Sequence, residues 1–180
     1  MPRFSVLTTV CDPPRDALLE CLASVRHQTL TDWEHVIVND RSTDAWVAEE
    51  LDRAASSDRR LIVVHRDRNG GIVAASADAL AAARGEIVAL LDHDDVLDPA
   101  ALESMSAAYD DALVDVAYSD SDLIRPDGRY SMPFFKPDFS PERLRSQNYV
   151  THFTTARRAL MTEIGGFRPG FDGSQDHVPL

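Results

Sequence analysis

Apolar positions along the first two thirds of the chain recur with two alternating periods. Phe4–Val10 (FSVLTTV) is a short β-branched run, and Asp12-Pro13-Pro14 follows as a cap signal with proline in the first helical turn. Leu18, Leu22 and Val25 then recur at helical spacing, predicting a helix over 16–28. Residues 34–39 (EHVIVN) read as a second buried strand, and Thr43 or Asp44 caps a helix carrying Val47 and Leu51. Leu61–His65 (LIVVH) predicts a third strand, Asn69-Gly70-Gly71 a turn, and the alanine-rich stretch 72–83 a helix ended by Arg84-Gly85. Residues 86–91 (EIVALL) predict a fourth strand that runs straight into Asp92-His93-Asp94-Asp95. Asp98-Pro99 caps a further helix over 100–109.

Strands and helices alternating at this spacing imply an α/β fold with a doubly wound, mostly parallel sheet. Ligands of such sheets bind outside the carboxyl ends of the strands. Beyond the expected strand at 114–118 the pattern changes. Pro126-Asp127-Gly128 marks a turn, Ser140-Pro141 caps a short helix, and 149–155 (YVTHFTT) alternates like an antiparallel strand. The second part therefore reads as a small antiparallel α+β appendage on the same domain.

A length of 180 residues suits one domain with its own core. A formal charge of −12 argues against a nucleic-acid binder, which needs Lys and Arg to displace counterions from phosphates. It leaves room for a small phosphorylated ligand held through a metal ion between carboxylates and phosphates. No apolar stretch approaches the roughly 18 residues of a membrane span, so the chain is expected in the cytoplasm, free or attached peripherally at the inner face of the cell membrane. Cys11 and Cys21 fall at a strand end and inside a helix, where separate reduced thiols are expected. Trp33 and Trp46 are assigned to packing.

Four aspartates stand where a ligand crevice would open: Asp40, Asp92 and Asp94 beyond strands, and Asp176 in the terminal loop. A single aspartate after a strand is usually a turn former or helix cap. Three carboxylates within four residues at Asp92–Asp95 are different, because their mutual repulsion calls for a compensating cation. Mg²⁺ or Mn²⁺ fits such oxygen donors and would keep positions open for phosphate oxygens. His93 alternates away from that face and reads as structural.

In order along the chain, five blocks carry a resemblance: FSVLTTVCDPP with SVRHQTLTDWEHVIVNDRSTD; NGGIVAAS with ARGEIVALLDHDDVLDPAAL; YSDSDLI; FKPDFSPERLRSQNYVTHFTTARRAL; and GGFRPGFDGSQDH. Together they resemble the GT-A fold, family 2 glycosyltransferases, especially the bacterial surface-polysaccharide type, over nearly the whole chain. The resemblance implies one catalytic domain over 1–180, with a nucleotide-binding half at 1–118 and an acceptor-side half at 119–180. It implies an inverting transferase that moves a sugar from a nucleotide-diphosphate donor, UDP- or dTDP-linked by preference, to a glycan or lipid-linked acceptor.

By the same resemblance Thr9 and Val10 line the nucleobase pocket and Asp40 accepts from the base, a role its carboxylate can perform toward an imide N–H. Asn69 and Gly71 form the turn near the phosphates, where a small residue lets the helix N-terminus approach. Asp92-His93-Asp94 matches the DXD motif, with Asp94 the direct metal ligand and Asp92 serving the ribose or a metal-bound water; Asp95 is supporting. Asp176 in Gly-Ser-Gln-Asp matches the general base that takes the acceptor hydroxyl's proton. Asp95, Asp120, Asp122 and His152 fall in blocks bordering the sugar and acceptor sites, with a strand-end turn the alternative for Asp120 and a packed histidine the alternative for His152.

Departures from the family pattern are Asn39, where an aspartate is common, and Ser76-Ala77, where an Arg-Asn pair is common. After Asp176 relatives continue as a helix, whereas here the chain reads His-Val-Pro-Leu and stops. A C-terminally incomplete domain is therefore expected, with a non-catalytic donor-binding remnant or one part of a split transferase as the competing reading. An aspartyl phosphatase would require a well-placed lysine, and the only lysine, Lys136, falls in the appendage within FKPD.

Overall fold

The computed structural model describes residues 1–170. Strand β1 (Phe4–Val10) leads to α1 (Arg15–Arg26), β2 (Trp33–Asn39), α2 (Ala45–Ser57), β3 (Leu61–His65), α3 (Gly71–Ala82), β4 (Ile87–Leu90) and α4 (Ala101–Ala108). Then come β5 (Val116–Tyr118), the hairpin strands β6 (Ser121–Ile124) and β7 (Tyr130–Phe134), α5 (Pro141–Ser146), β8 (Thr154–Arg157) and α6 (Arg158–Glu163). The six-stranded sheet has the order β3-β2-β1-β4-β8-β5, and β6-β7 stand apart as a two-stranded ribbon.

The first four strands are parallel, as the alternating pattern predicts, and β8 runs antiparallel to both β4 and β5. β1 and β2 are buried along almost every residue, since helices cover both faces. Phe4 and Val6 of β1 pack on one side with Leu18, Leu22 and Val25 of α1, Leu51 of α2 and Leu102 of α4. Leu7 points to the other side, where Val36, Val38 and Val88 meet Val73, Ala75 and Ala79 of α3 and Met161 of α6. Small alanines let α3 lie close against β1 and β2.

Two titratable side chains of β2 are buried beside β1. Glu34 accepts from Ser5 Oγ at 2.6 Å and from the Arg84 backbone N–H at 2.6 Å, with the Arg84 guanidinium at 2.7 Å. Burial alone would raise this carboxyl, but those donors outweigh it and hold Glu34 below its ordinary range. His35 is fully buried with its Nε2 2.9 Å from Thr8 Oγ1. Its imidazole is pushed down to about 3 by burial, with the Arg26 charge adding to the effect.

The second part departs from the sequence pattern. The strand expected over 149–155 occupies Thr154–Arg157 instead, and Tyr149 and Val150 are buried with Leu144 in a separate small cluster. Ser140 does cap α5, its hydroxyl accepting from Arg143 N–H at 3.3 Å. Gly128, at φ +76°, closes the hairpin turn through its N–H to the Arg125 carbonyl at 2.8 Å. Cys11 is exposed and Cys21 buried, both as free thiols. Trp33 is buried and the Arg60 guanidinium lies 3.7 Å over its ring. Among the described residues no helix is long and apolar enough to cross a membrane.

Candidate active site

Strand order reverses at β1: the chain moves outward from β1 through β2 to β3, then crosses back so that β4 pairs the other edge of β1. A crevice opens at such a point because the loops leaving the two neighbouring strands turn away in opposite directions. Here it has a volume of about 270 Å³, close to the lower bound of roughly 300 Å³ for small-ligand clefts. Thr9, Val10, Asp40, Asn69, Gly71 and Asp92, the six residues expected at the nucleotide, all line it, together with Asp94.

Hydrogen bonds fix the walls. Asp40 donates its backbone N–H to the Val10 carbonyl at 2.8 Å, joining the ends of β1 and β2. Its buried carboxylate accepts from the Gly70 N–H at 3.0 Å and is paired with Arg66 Nη1 at 2.5 Å. Arg66 also reaches Asp78 on α3 at 2.7 Å, so one guanidinium braces the turn before α3 from both sides. Asn69 accepts from the Gly71 N–H at 3.1 Å and donates to Cys11 Sγ at 3.2 Å. Gly71 has φ +80°, a left-handed conformation that glycine adopts without the Cβ penalty. Asp12 ties the loops after β1 and β2 together by accepting from the Thr43 N–H at 2.6 Å.

The acidic turn follows β4. Asp95 N–H bonds the Asp92 carbonyl at 3.2 Å, closing the turn so that successive side chains diverge. His93 places Nδ1 3.2 Å from the Thr9 carbonyl and also lines the crevice. Asp94 lines the crevice described above. Asp95 points the other way, 2.8 Å from His152 Nδ1, and Asp92 Oδ2 is 3.8 Å from the same nitrogen. One ligand atom from each of Asp92, Asp95 and His152 falls within 4.8 Å of the others. A second, smaller cavity of about 60 Å³ adjoins this group, and Thr9, Ile72 and Asp92 border both spaces.

The electrostatics match the crowding. Burial raises the Asp92 carboxyl above its ordinary range; the Asp95 and Asp94 charges add to this, and His152 opposes it. The hydrogen bond to Asp95 raises the His152 imidazole, with the charges of Asp95 and Asp92 reinforcing the effect. A carboxylate kept above its ordinary range by burial and its neighbours' charge is suited to a nearby cation, and the carboxylate oxygens of this turn fit Mn²⁺ or Mg²⁺.

Asp120 and Asp122 are exposed and line neither cavity. Asp120 Oδ1 accepts from the Lys136 backbone N–H at 2.7 Å, the strand-end turn role weighed for it, and Asp122 lies on β6. Asp176 lies outside the described residues. Two residues were overlooked by sequence reasoning. Arg66 directly follows β3, so the rule that singles out strand ends could have found it. Lys136, as the only lysine, carried a signal of rarity but none of position.

A doubly wound sheet whose switch point opens on a carboxylate-rich turn defines a GT-A type domain. Its solved likenesses agree: a mannosyltransferase, PcManGT from Pyrobaculum calidifontis in complex with GDP-Man and Mn²⁺, superposes with a TM-score of 0.74 at 23% identity over 98% of this chain and 50% of that one. S. aureus TarS 1-349 in complex with UDP-GlcNAc gives 0.69 at 23% identity over 92% of this chain and 48% of that one.

Residues 5–163 match the model of Glycosyl transferase family 2, and the chain belongs to that family. It is 40% identical to the O-antigen biosynthesis protein RfbC of Myxococcus xanthus over 177 residues, which is 98% of this chain and 14% of that protein. The chain thus spans a small part of the length of this relative.

Proposed function

We propose that this chain binds a nucleotide-diphosphate sugar, UDP- or dTDP-linked by preference, and transfers the sugar with inversion to a hydroxyl of a glycan or lipid-linked acceptor. The setting is cell-surface polysaccharide synthesis, with the protein cytoplasmic or at the inner face of the membrane. The observation that carries this reading is the convergence of Thr9, Val10, Asp40, Asn69, Gly71 and Asp92 on one crevice beside the acidic turn. The named activities of the similar proteins support it.

Each wall has a task. Main-chain groups of Thr9 and Val10 flank the base. A carboxylate offers about four lone-pair sites, so Asp40 can accept an imide N–H beside its bonds from Arg66 and Gly70. The N-terminus of the 12-residue helix α3, freed of a Cβ at Gly71, presents backbone N–H groups to phosphate. Asp94 and Asp92 would hold Mn²⁺ or Mg²⁺, with Asp95 and His152 bordering the far side of the turn. When bound, the ion supplies Lewis-acid stabilisation of the charge developing on the diphosphate. Asp176 is assigned the general base: it takes the proton of the acceptor hydroxyl as that oxygen attacks the anomeric carbon and the diphosphate departs from the opposite face.

Thermal shift with UDP, dTDP or GDP, with and without Mn²⁺, tests donor binding, because a ligand of the native state raises its apparent stability. UDP and dTDP should raise Tm more than GDP does, and Asp94→Ala should remove the metal-dependent part. An unchanged metal-dependent shift in Asp94→Ala refutes that ligand, and no shift with any nucleotide refutes the donor site. Binding with no sugar transfer or hydrolysis would favour the donor-binding remnant or split-enzyme reading.

A further inference from the structure

Lys136 lies in the loop after β7, outside the crevice, yet its ammonium is not spread into solvent. It donates to the carbonyl of Thr151 and, at 2.5 Å, to that of His152. Its own backbone N–H is fixed by Asp120 at 2.7 Å, and the next residue, Pro137, accepts from Tyr118 Oη at 2.7 Å. The lysine is thus anchored at both its backbone and its charged end.

The segment it grips needs holding. His152 has φ +30°, a region sparsely populated by any residue but glycine, and such a conformation persists only where its surroundings fix it. That conformation accompanies the placement of the imidazole 2.8 Å from Asp95 and 3.8 Å from Asp92. On the far side of His152 the chain is tied to Ser119, whose N–H donates to the Phe153 carbonyl at 3.1 Å. A compact ammonium with three donors can satisfy two consecutive carbonyls, a geometry that a planar guanidinium matches poorly. Burial lowers this amine to about 8, which still leaves it protonated at neutral pH.

We propose that Lys136 is a positioning residue: by binding the Thr151 and His152 carbonyls it holds the His152 imidazole against Asp92 and Asp95, and so sets the cation-binding geometry of the acidic turn. This rests on the reading of that turn as the transferase's cation site. Residues that orient ligands from behind typically change metal affinity by about 10–100-fold when removed.

The test is a double-mutant cycle on Mn²⁺ affinity, measured by electron paramagnetic resonance in the presence of UDP, for the whole chain carrying Lys136→Met, His152→Ala or both. Lys136→Met should weaken Mn²⁺ about 10-fold or more, and the double variant should be no weaker than His152→Ala alone. Wild-type affinity in Lys136→Met, or losses that add in the double variant, would overturn the proposal. Lys136→Gln, whose shorter neutral amide cannot span both carbonyls, is read the same way should Lys136→Met fail to fold. Crystal structures of wild type and variant give a readout independent of metal. An imidazole displaced from Asp95 in the variant supports the clamp, and one retained beside Asp95 overturns it. Failure of the wild-type chain to bind either Mn²⁺ or UDP would sink the transferase site, while the crystal comparison would still decide the role of Lys136.

Discussion

His35 makes the stability of this domain depend on pH in a window that few other groups share. The imidazole sits in the middle of the sheet, fully buried, and its proton affinity falls from an ordinary 6.5 to about 3. Between those values the unfolded chain carries a proton that the native chain refuses. Stability must therefore fall as pH falls through this range, by at most about 1.4 kcal/mol per pH unit. From pH 6.5 to 5 the loss approaches about 2 kcal/mol, a large share of the roughly 5–15 kcal/mol that holds a domain together.

Other shifted groups act elsewhere. His152 is raised, so its contribution is complete below 6.5 and is lost as pH rises through its native value. Glu34 and Asp58, both lowered, lose their contributions only in the more acidic carboxylate range, and Asp92, raised, acts near that range with the opposite sign. Urea unfolding of wild type and His35→Gln at steps from pH 7 to 5 isolates the effect. Relative to the variant, the wild type should lose about 2 kcal/mol over these steps whatever their absolute stabilities, because the opposite trend of His152 is common to both. Equal slopes in the two proteins would mean that His35 is not the group responsible, and the reasoning from burial would be wrong.

Gly85→Ala should destabilise the domain by about 1–3 kcal/mol, because an added Cβ would lie 2.6 Å from Ser5 N and 2.7 Å from the Phe4 carbonyl carbon, both backbone atoms of a central strand. At roughly 2–4 °C per kcal/mol for a domain of this size the Tm should drop by several degrees, and a change within about a degree would contradict the packing described. Cys11 should react with a disulfide reagent in the native protein, more slowly when UDP and Mn²⁺ fill the crevice it lines. Cys21, buried and pushed up to about 12 by desolvation, should react only after unfolding. Two fast thiols, or no protection by nucleotide, would count against this geometry.

The parallel half was legible because its signals are local. β1 and β3 begin and end where the apolar runs do, and β2 starts one residue before its expected boundary, at Trp33. Turn chemistry placed the hairpin at Gly128 and the cap at Ser140. The alternation in 149–155 misled because Tyr149 and Val150 are buried by packing on Leu144 and on Tyr118 of β5 without forming a strand themselves. Pairings such as Asp40 with Arg66 depend on how distant strand ends meet, and no local pattern encodes them. The same limit applies within the acidic turn: spacing marks three carboxylates, whereas the bond from Asp95 N–H to the Asp92 carbonyl decides which side each faces.

His152 shows why reading only the loops after strands is incomplete for this architecture. Parallel strands deliver residues to the crevice from their C-terminal ends, as β1, β2 and β4 do with Thr9, Asp40 and Asp92. β8 is antiparallel to β4, with Thr154 opposite Leu90, so the edge that receives the ends of the parallel strands receives the beginning of β8. Residues immediately before β8 are thereby carried to the acidic turn, and His152 reaches Asp92 and Asp95 from across the sheet. Register is critical to this arrangement, since slipping β8 by one residue would exchange its two faces and separate Thr154 from Leu90. The buried Thr155, bonded by the Tyr109 hydroxyl at 3.0 Å, favours the observed register by keeping that strand face toward α4. The grouping of side chains around the acidic turn therefore depends on a strand partner as much as on the acidic motif itself.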